Sequence, residues 1–345
     1  MSEQATLTGQ EALTEHSANG GGPASGGRVW VRDLVDGQAV DGVFAVRERE
    51  LRQRRSGGEW LRLVVCDRSG SIEAVAWEAV SDAFEVAVPG AAVHVGGRFG
   101  VHPQYGPKIT IEAIRAARPE EFEPGELAGG PSVPVEGLEA ALRELLETIQ
   151  NRQLRELLDT FFAADSRMWT RFREAPAAKY YHQAYRHGLL DHTVSVAQAV
   201  SAAASSFPGI DRDVAIAGAL LHDIGKTIAY NDDPLAIDLT DAGRLQGEIP
   251  LGYYLVRREV ERIRGFDQDL AQAILHIVLS HHGSYENGSP VLPATREATL
   301  VHAIDNLGGK LGSFDRIERG LADGEAWSRF DRGIDSAAYF SSRAA

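Results

Sequence analysis

The adjacent pair His222-Asp223 ends an apolar run, Val214-Ala215-Ile216-Ala217-Gly218-Ala219-Leu220-Leu221. Imidazole beside carboxylate suits a divalent transition metal. Eight of the eleven histidines lie between His182 and His302, and the series His192, His222-Asp223, His276, His281-His282, Asp305 interleaves nitrogen and oxygen donors. Such a set points to a metal-dependent hydrolase, in which a cation polarises the scissile group and acidifies a water. Neighbours on a regular helix are about 100° apart, so both members of the pair cannot face one ion from mid-helix. A helix end relaxes that constraint, and Gly225 supplies a break just after the pair. Both side chains could then reach one ion, or Asp223 could bridge two, with His192 and Asp305 arriving from other helices. Lys226 is open between a phosphate-charge partner and an ordinary lysine at a helix end. His302, three before Asp305, is open between a ligand, a partner that orients Asp305, and core.

The elements that must position these residues fall into two groups. From Arg28 to about Arg118, apolar residues alternate or run in short blocks: Ala39 to Val46, Trp60 to Cys66, Ser71 to Trp77, Ala91 to Phe99 and Lys108 to Ile114. Gly- and Pro-bearing turns separate them, and a helical stretch near Trp77 to Val86 sits between the third and fourth. Five such strands predict a small Greek-key barrel of the OB type over residues 28–118. Residues 119–136 read as a linker rich in Pro, Gly and Glu. From 137 to 325 the period becomes helical, first in one run from Leu138 to Phe162. Further helices are expected at His192 to Ser206, Asp211 to His222, Leu251 to Ile263, Asp267 to Ser280 and Arg296 to Leu307. No βαβ alternation appears, so the second domain is expected to be all-α. Residues 1–27 lack the apolar content for a core and are expected to be disordered; residues 326–345 read as a tail.

The net charge of -14 is unevenly spread. Residues 28–118 hold 13 Lys or Arg against 12 Asp or Glu, a balance of +1, so the acid lies elsewhere. Arg47, Arg49, Arg52, Arg54 and Arg55 crowd one stretch, open between a solvated hairpin loop and a phosphate-contacting one. Trp60, Trp77, Phe99 and Tyr105 offer stacking faces for bases, although aromatics in a small barrel more often fill the core. The candidate nucleic-acid contacts are Arg47, Arg52, Arg54, Trp60 and Tyr105. No apolar run approaches the roughly 18 residues of a membrane span, and Met1 to Gln10 lacks the pattern of a signal peptide. A single cysteine, Cys66, fits a reducing compartment and reads as buried filler. A cytoplasmic protein without membrane partners is expected; self-association into a channel is left open.

Over residues 28–118 the phrases Trp60 to Trp77 and Val93-His94-Val95-Gly96-Gly97 resemble the OB-fold family related to tRNA anticodon-binding domains. Over roughly Ala175 to Asp305 the chain resembles the HD superfamily of metal-dependent phosphohydrolases. Within it the wording is similar to the YhaM-type 3'-5' exoribonucleases. The matching phrases are Ala175-Pro176-Ala177-Ala178-Lys179, Gly188-Leu189-Leu190-Asp191-His192-Thr193, Leu221-His222-Asp223-Ile224-Gly225-Lys226, Leu279-Ser280-His281-His282-Gly283 and Ile304-Asp305-Asn306-Leu307. That family also sets an OB-fold before its HD domain. The resemblance implies that His192, His222, Asp223 and Asp305 hold a first metal. It implies that His276, His281 and His282 serve a second metal or the substrate phosphate. One departure stands out: Leu245-Gln246-Gly247-Glu248-Ile249 replaces a family phrase with histidine at the position of Glu248. Glu248 could ligate, favouring Mn²⁺ or Mg²⁺, or the second site could be weak. The family has a histidine near His182; His187 stands where glycine is commoner and receives no role.

The expected activity is therefore hydrolysis of single-stranded RNA, or DNA, from its 3' end, with the barrel holding the strand. Asp223, Lys226 and His276 are the candidates for catalytic roles. The expected cofactor is one or two divalent ions, Mn²⁺ first, with Mg²⁺, Fe²⁺, Co²⁺ and Ni²⁺ as alternatives. The rival activities are an HD-type nucleotide or cyclic-nucleotide phosphohydrolase and a non-catalytic nucleic-acid-binding protein.

Overall fold

A computed structural model describes residues 28–54, 57–102, 105–179, 183–319, 321 and 324–341. The expectation for residues 1–27 lies outside this range, as do Arg55 and His182. In the first unit, alternating apolar residues build β1 (Ala39–Gln53), β2 (Glu59–Asp67), β3 (Gly70–Ala76), β4 (Ala92–His102) and β5 (Gly106–Ala116), with α1 (Val80–Val86) between β3 and β4. They close into a barrel in the order β1-β2-β3-β5-β4, in which only the β3–β5 pair is parallel. Leu61, Leu63 and Val65, two apart on β2, all point inward to meet Val93, Val95 and Ile109. This five-stranded closed barrel is the OB arrangement.

The arginine-rich stretch after Val46 is not a loop. It continues β1 to Gln53, paired with β2 from Arg52↔Trp60 back to Ala45↔Cys66, with the register slipping between Val46 and Glu48. A slip of this kind re-aims one side chain out of the alternation, and Arg47 is the residue it turns. Its Nη2 donates to the carbonyl of Ala184 in the helical unit at 2.8 Å. Beside it, Lys179 lies 3.7 Å from Glu48 and 3.0 Å from Asp238. The linker is folded as well. Its short α2 (Pro124–Leu127) buries Leu127 against Val43, Ala45 and Cys66, and the Arg68 amide donates to the Glu126 carbonyl.

The second unit is helical, as expected, though its first run is broken. Asn151 caps a new helix by accepting from the amides of Gln153 and Leu154, which divides the run into α3 (Val135–Thr148) and α4 (Arg152–Phe162). The rest are α5 (Arg167–Glu174), α6 (Gly188–Ala204), α7 (Arg212–Leu221), α8 (Lys226–Ala229), α9 (Asp241–Gln246), α10 (Glu248–Arg262), α11 (Gln268–Ser280) and α12 (Arg296–Arg319). Every residue of α7 from Val214 to Leu221 is buried, the mark of a helix surrounded by others. It packs against α6, α11 and α12. After α12 the chain does not trail off. Residues 326–340 return as a hairpin, with bridges Trp327↔Tyr339 and Asp331↔Ser336. No helix among the described residues is long and apolar enough to cross a membrane.

Gly225 lets α8 and α10 touch. A Cβ there would stand 2.0 Å from the carbonyl oxygen of Glu248 and 2.5 Å from the amide of Gly252, both backbone atoms that cannot swing away. Gly225→Ala is expected to lower stability by about 1–3 kcal/mol, read as a lower urea midpoint. An unchanged midpoint would mean that the two backbones separate freely.

Candidate metal centre

Five helical elements deliver one cluster. His192 comes from α6, Asp305 from α12 and Glu248 from the first turn of α10; His222 and Asp223 occupy the turn after α7, and His281 and His282 the turn after α11. Ligands roughly 2.1 Å from one ion sit roughly 3 Å from one another in an octahedral shell. His192 Nε2 lies 3.2 Å from His222 Nε2, 3.3 Å from Asp223 Oδ2 and 3.1 Å from Asp305 Oδ1. His222 Nε2 lies 3.3 Å from Asp223 Oδ2. A second group, Asp223, Glu248, His281 and His282, also brings its donor atoms within 4.8 Å of one another. In it Asp223 Oδ1 stands 3.4 Å from His281 Nε2, and Glu248 Oε1 3.3 Å from His282 Nε2. The Asp223 carboxylate thus turns one oxygen to each group.

Hydrogen bonds at the far side of each ring fix which nitrogen faces inward. A carbonyl oxygen only accepts, so Nδ1 of His222, His281 and His282 carries the proton that it donates to Ala219, Val278 and Asn287. Burial pushes the His281 ring down from its ordinary value, which keeps it neutral. Its Nε2 therefore presents a lone pair to a carboxylate oxygen, and both atoms are buried without a hydrogen-bond partner. Two acceptors held face to face need a cation between them, so these residues fit a divalent metal. In the other group His192 faces two carboxylates. Burial opposes a charge on its ring, yet the carboxylates of Asp223 and Asp305 outweigh that and raise it to about 9.

Lys226 is not an exposed lysine. Its Nζ donates to Asp223 Oδ2 at 2.7 Å and lies 3.9 Å from Glu248. Burial works against its charge, but Asp223 and Glu248 dominate and hold the ammonium well above its usual range. Burial likewise works against Glu248, and Lys226 and His282 keep its carboxyl below the usual range. His302 orients the cluster instead of joining it: its Nδ1 donates to the His281 carbonyl at 2.8 Å. Gly283 makes room for that ring, since a Cβ there would meet it at 2.0 Å, and the residue sits at φ +76°. His187 takes the left-handed conformation, at φ +71°, which glycine adopts more readily.

His276 departs from expectation. It is not among either group, and its Nε2 accepts the amide of Ala294 at 2.8 Å. On the barrel, Arg47 is committed to the contact between units, so it does not present itself to a strand. Trp60 and Trp77 stack with centroids 4.9 Å apart, and Arg52 and Arg54 lie over them at 5.6 and 5.3 Å. Phe99 is buried in the barrel core, whereas Tyr105 is 66% exposed on the turn between β4 and β5. A cavity of about 700 Å³ opens on the cluster, reached by His192, Lys226, His282 and Asp305. Residues of the C-terminal hairpin also line it; nothing in the local sequence pattern singled them out.

Cation loading should release protons, because His192 carries one in the metal-free protein at pH 7.5. Titration of metal-free protein with Mn²⁺ in buffers of different ionisation enthalpy is expected to show about one proton released on filling the first group. No release would place a neutral His192 in the metal-free state.

The HD domain family model matches residues 189–309. The chain is 28% identical over 295 residues to the 3'-5' exoribonuclease YhaM of Geobacillus sp. (strain WCH70), covering 85% of this chain and 89% of that protein. It is 28% identical over 295 residues to the protein of the same name from Bacillus subtilis (strain 168), covering 85% and 92%. Among solved structures, the second OB-fold domain of replication protein A from Methanococcus maripaludis aligns with 26% of this chain and 94% of that one, at 21% identity and a TM-score of 0.22. The helical unit is, over residues 189–309, an HD domain.

Proposed function

We propose that the protein is a metal-dependent 3'-5' exonuclease that hydrolyses phosphodiester bonds of single-stranded RNA, its barrel holding the strand. The observation that carries this reading is the Asp223 carboxylate, with one oxygen turned to each of two donor groups beside an open cavity. The relatives named 3'-5' exoribonucleases, similar along 85% of this chain, support the substrate and direction. A divalent cation bound there supplies Lewis-acid polarisation of the phosphoryl group and acidification of a water. Mn²⁺ is the ion we favour, since it accepts imidazole and carboxylate together and Glu248 adds an oxygen donor; Mg²⁺, Fe²⁺, Co²⁺ and Ni²⁺ are the comparison ions.

The chain's own residues do the rest. His192, His222, Asp223 and Asp305 would hold a first ion, and Asp223, Glu248, His281 and His282 a second. Lys226, anchored on Asp223, offsets charge on the phosphate oxygens. The fixed Nδ1–H bonds keep three of the imidazoles aimed before substrate arrives. On the barrel, the Trp60–Trp77 stack with Arg52 and Arg54 offers faces for bases and charge for phosphates, without reading sequence.

With 5'-labelled single-stranded RNA and Mn²⁺, wild-type protein is expected to give a ladder shortening from the 3' end. EDTA should abolish it, and His222→Ala should slow it by at least about a hundredfold. Intact RNA with wild-type protein would overturn the reading and direct the search to nucleotides and cyclic nucleotides. For the barrel, Trp60→Ala is expected to weaken RNA binding by about tenfold in a filter-binding assay, while Mn²⁺ binding is retained. Unaltered RNA affinity would remove the Trp60–Trp77 stack from the strand's path.

A further inference from the structure

The cavity is larger than the metal groups need, and its far wall is built by elements outside them. On α12, two neighbouring rows of four-residue spacing line the cavity, Asp305-Gly309-Ser313 and Asn306-Lys310. Asp305 to Ser313 is a rise of roughly 12 Å, room for one nucleoside and its phosphate. Above this wall stands the C-terminal hairpin. Its arms are joined by Ser328 N–H to the Ala338 carbonyl at 2.9 Å and Phe340 N–H to the Ala326 carbonyl at 2.8 Å. Trp327 packs on Tyr339 with ring centres 4.8 Å apart, and Phe340 on Phe314 of α12 at 6.2 Å. Asp331 and Ser336 exchange backbone bonds across the tip.

That held tip brings Phe330, Asp331, Arg332 and Gly333 to the cavity wall, with the Asp331 carboxylate accepting the Gly333 amide at 2.8 Å. Phe330 is a large apolar ring, 65% exposed. Arg332 is exposed and in no ion pair among the described residues. An exposed aromatic face beside two cations, Arg332 and Lys310, is the chemistry that takes a base on the ring and a phosphate on the charges. The other rim of the cavity, Ala177 and Ala178, belongs to the segment that reaches the barrel through Lys179 and Glu48.

We infer that Phe330, Arg332 and Lys310 form a seat for the 3'-terminal nucleotide, with the base on Phe330 and the two cations adding their charge, beside that of Lys226, to the side of the cavity that takes its 5'-phosphate. The seat rests on the exonuclease reading for which nucleotide occupies it, and its binding chemistry is testable without turnover. Calorimetric titration of the full Mn²⁺-loaded chain compares adenosine 5'-monophosphate with ribose 5-phosphate, which lacks the base. The nucleotide is expected to bind about tenfold tighter. Phe330→Ala should erase that gap and Phe330→Trp should keep it, while Arg332→Gln weakens both ligands by a similar factor. Both ring and guanidinium are exposed, so these variants should fold as the wild type does, checked by circular dichroism. Equal affinities in the wild type, or a gap that survives Phe330→Ala, overturns the seat. The RNA ladder assay separates the two claims. RNA degradation without a base-dependent gap sinks the seat alone; a gap without RNA degradation keeps the seat and sinks the exonuclease.

Discussion

Taking the carboxylate of Asp223 out of water costs several kcal/mol unless cations stand around it. Desolvation alone would push its pKa up, yet Lys226 and the imidazoles of His222 and His192 hold it well below the ordinary range. The surrounding architecture can be derived from that requirement. Lys226 must be near, so the chain turns at Ile224-Gly225 and begins α8 at once. The turn must lie against α10 for Glu248 to reach the cluster, so position 225 has no side chain. The carboxylate's second oxygen must share a cation with a lone pair, and the Val278 carbonyl secures this by accepting the Nδ1–H hydrogen bond of His281, which leaves Nε2 unprotonated.

Such a cluster works only if its parts cannot drift. The apolar helix α7 runs into it, and its buried stretch from Val214 to Leu221 packs against the helices that carry His192, His281 and Asp305. Close packing limits rotamer exchange in a core of this kind. The ligands at 222 and 281 leave from the last turns of α7 and α11, where the helix has just ended and the side chains can converge.

Much of this was legible in the sequence, and the exceptions have physical causes. Alternation on β2 and the turns around it are enough to place the barrel strands, because an inward residue every second position is a strong signal. The His222-Asp223 pair stands out for a similar reason: ionisable groups ending an apolar helix must answer to something. His276 misleads because spacing along a helix is not direction. It precedes His281 by five residues, about 140° away around the axis at 100° per residue, so its ring goes to the Ala294 amide instead. Arg47 misleads because a register slip in β1 re-aims one arginine out of a charged row. The break at Asn151 hides inside a continuous apolar period, since a cap is a local hydrogen-bond event. The hairpin after α12 is least legible of all. Its order comes from Trp327, Tyr339, Phe314 and Phe340 meeting across the chain, with no local period to announce them.

The contact between the two units ties binding to the site. Arg47 holds the Ala184 carbonyl, and Lys179 stands between Glu48 of the barrel and Asp238 of the helical unit. Residues 177–179 and 183–184 are therefore shared: Ala177 and Ala178 line the cavity, and Gln183 accepts from the outer nitrogen of His192 at 3.1 Å. A barrel that shifted on its partner would pull first on this segment, and through Gln183 on the tautomer of a metal ligand. The charge balance fits the same picture. The barrel stays near neutral while the helical unit carries the acid, so a polyanion approaching the chain is repelled least where Arg52, Arg54 and the tryptophan stack lie. In the helical unit the two oxygens of Asp223, each turned to one donor group, stand beside the cavity that Ala177 and Ala178 line.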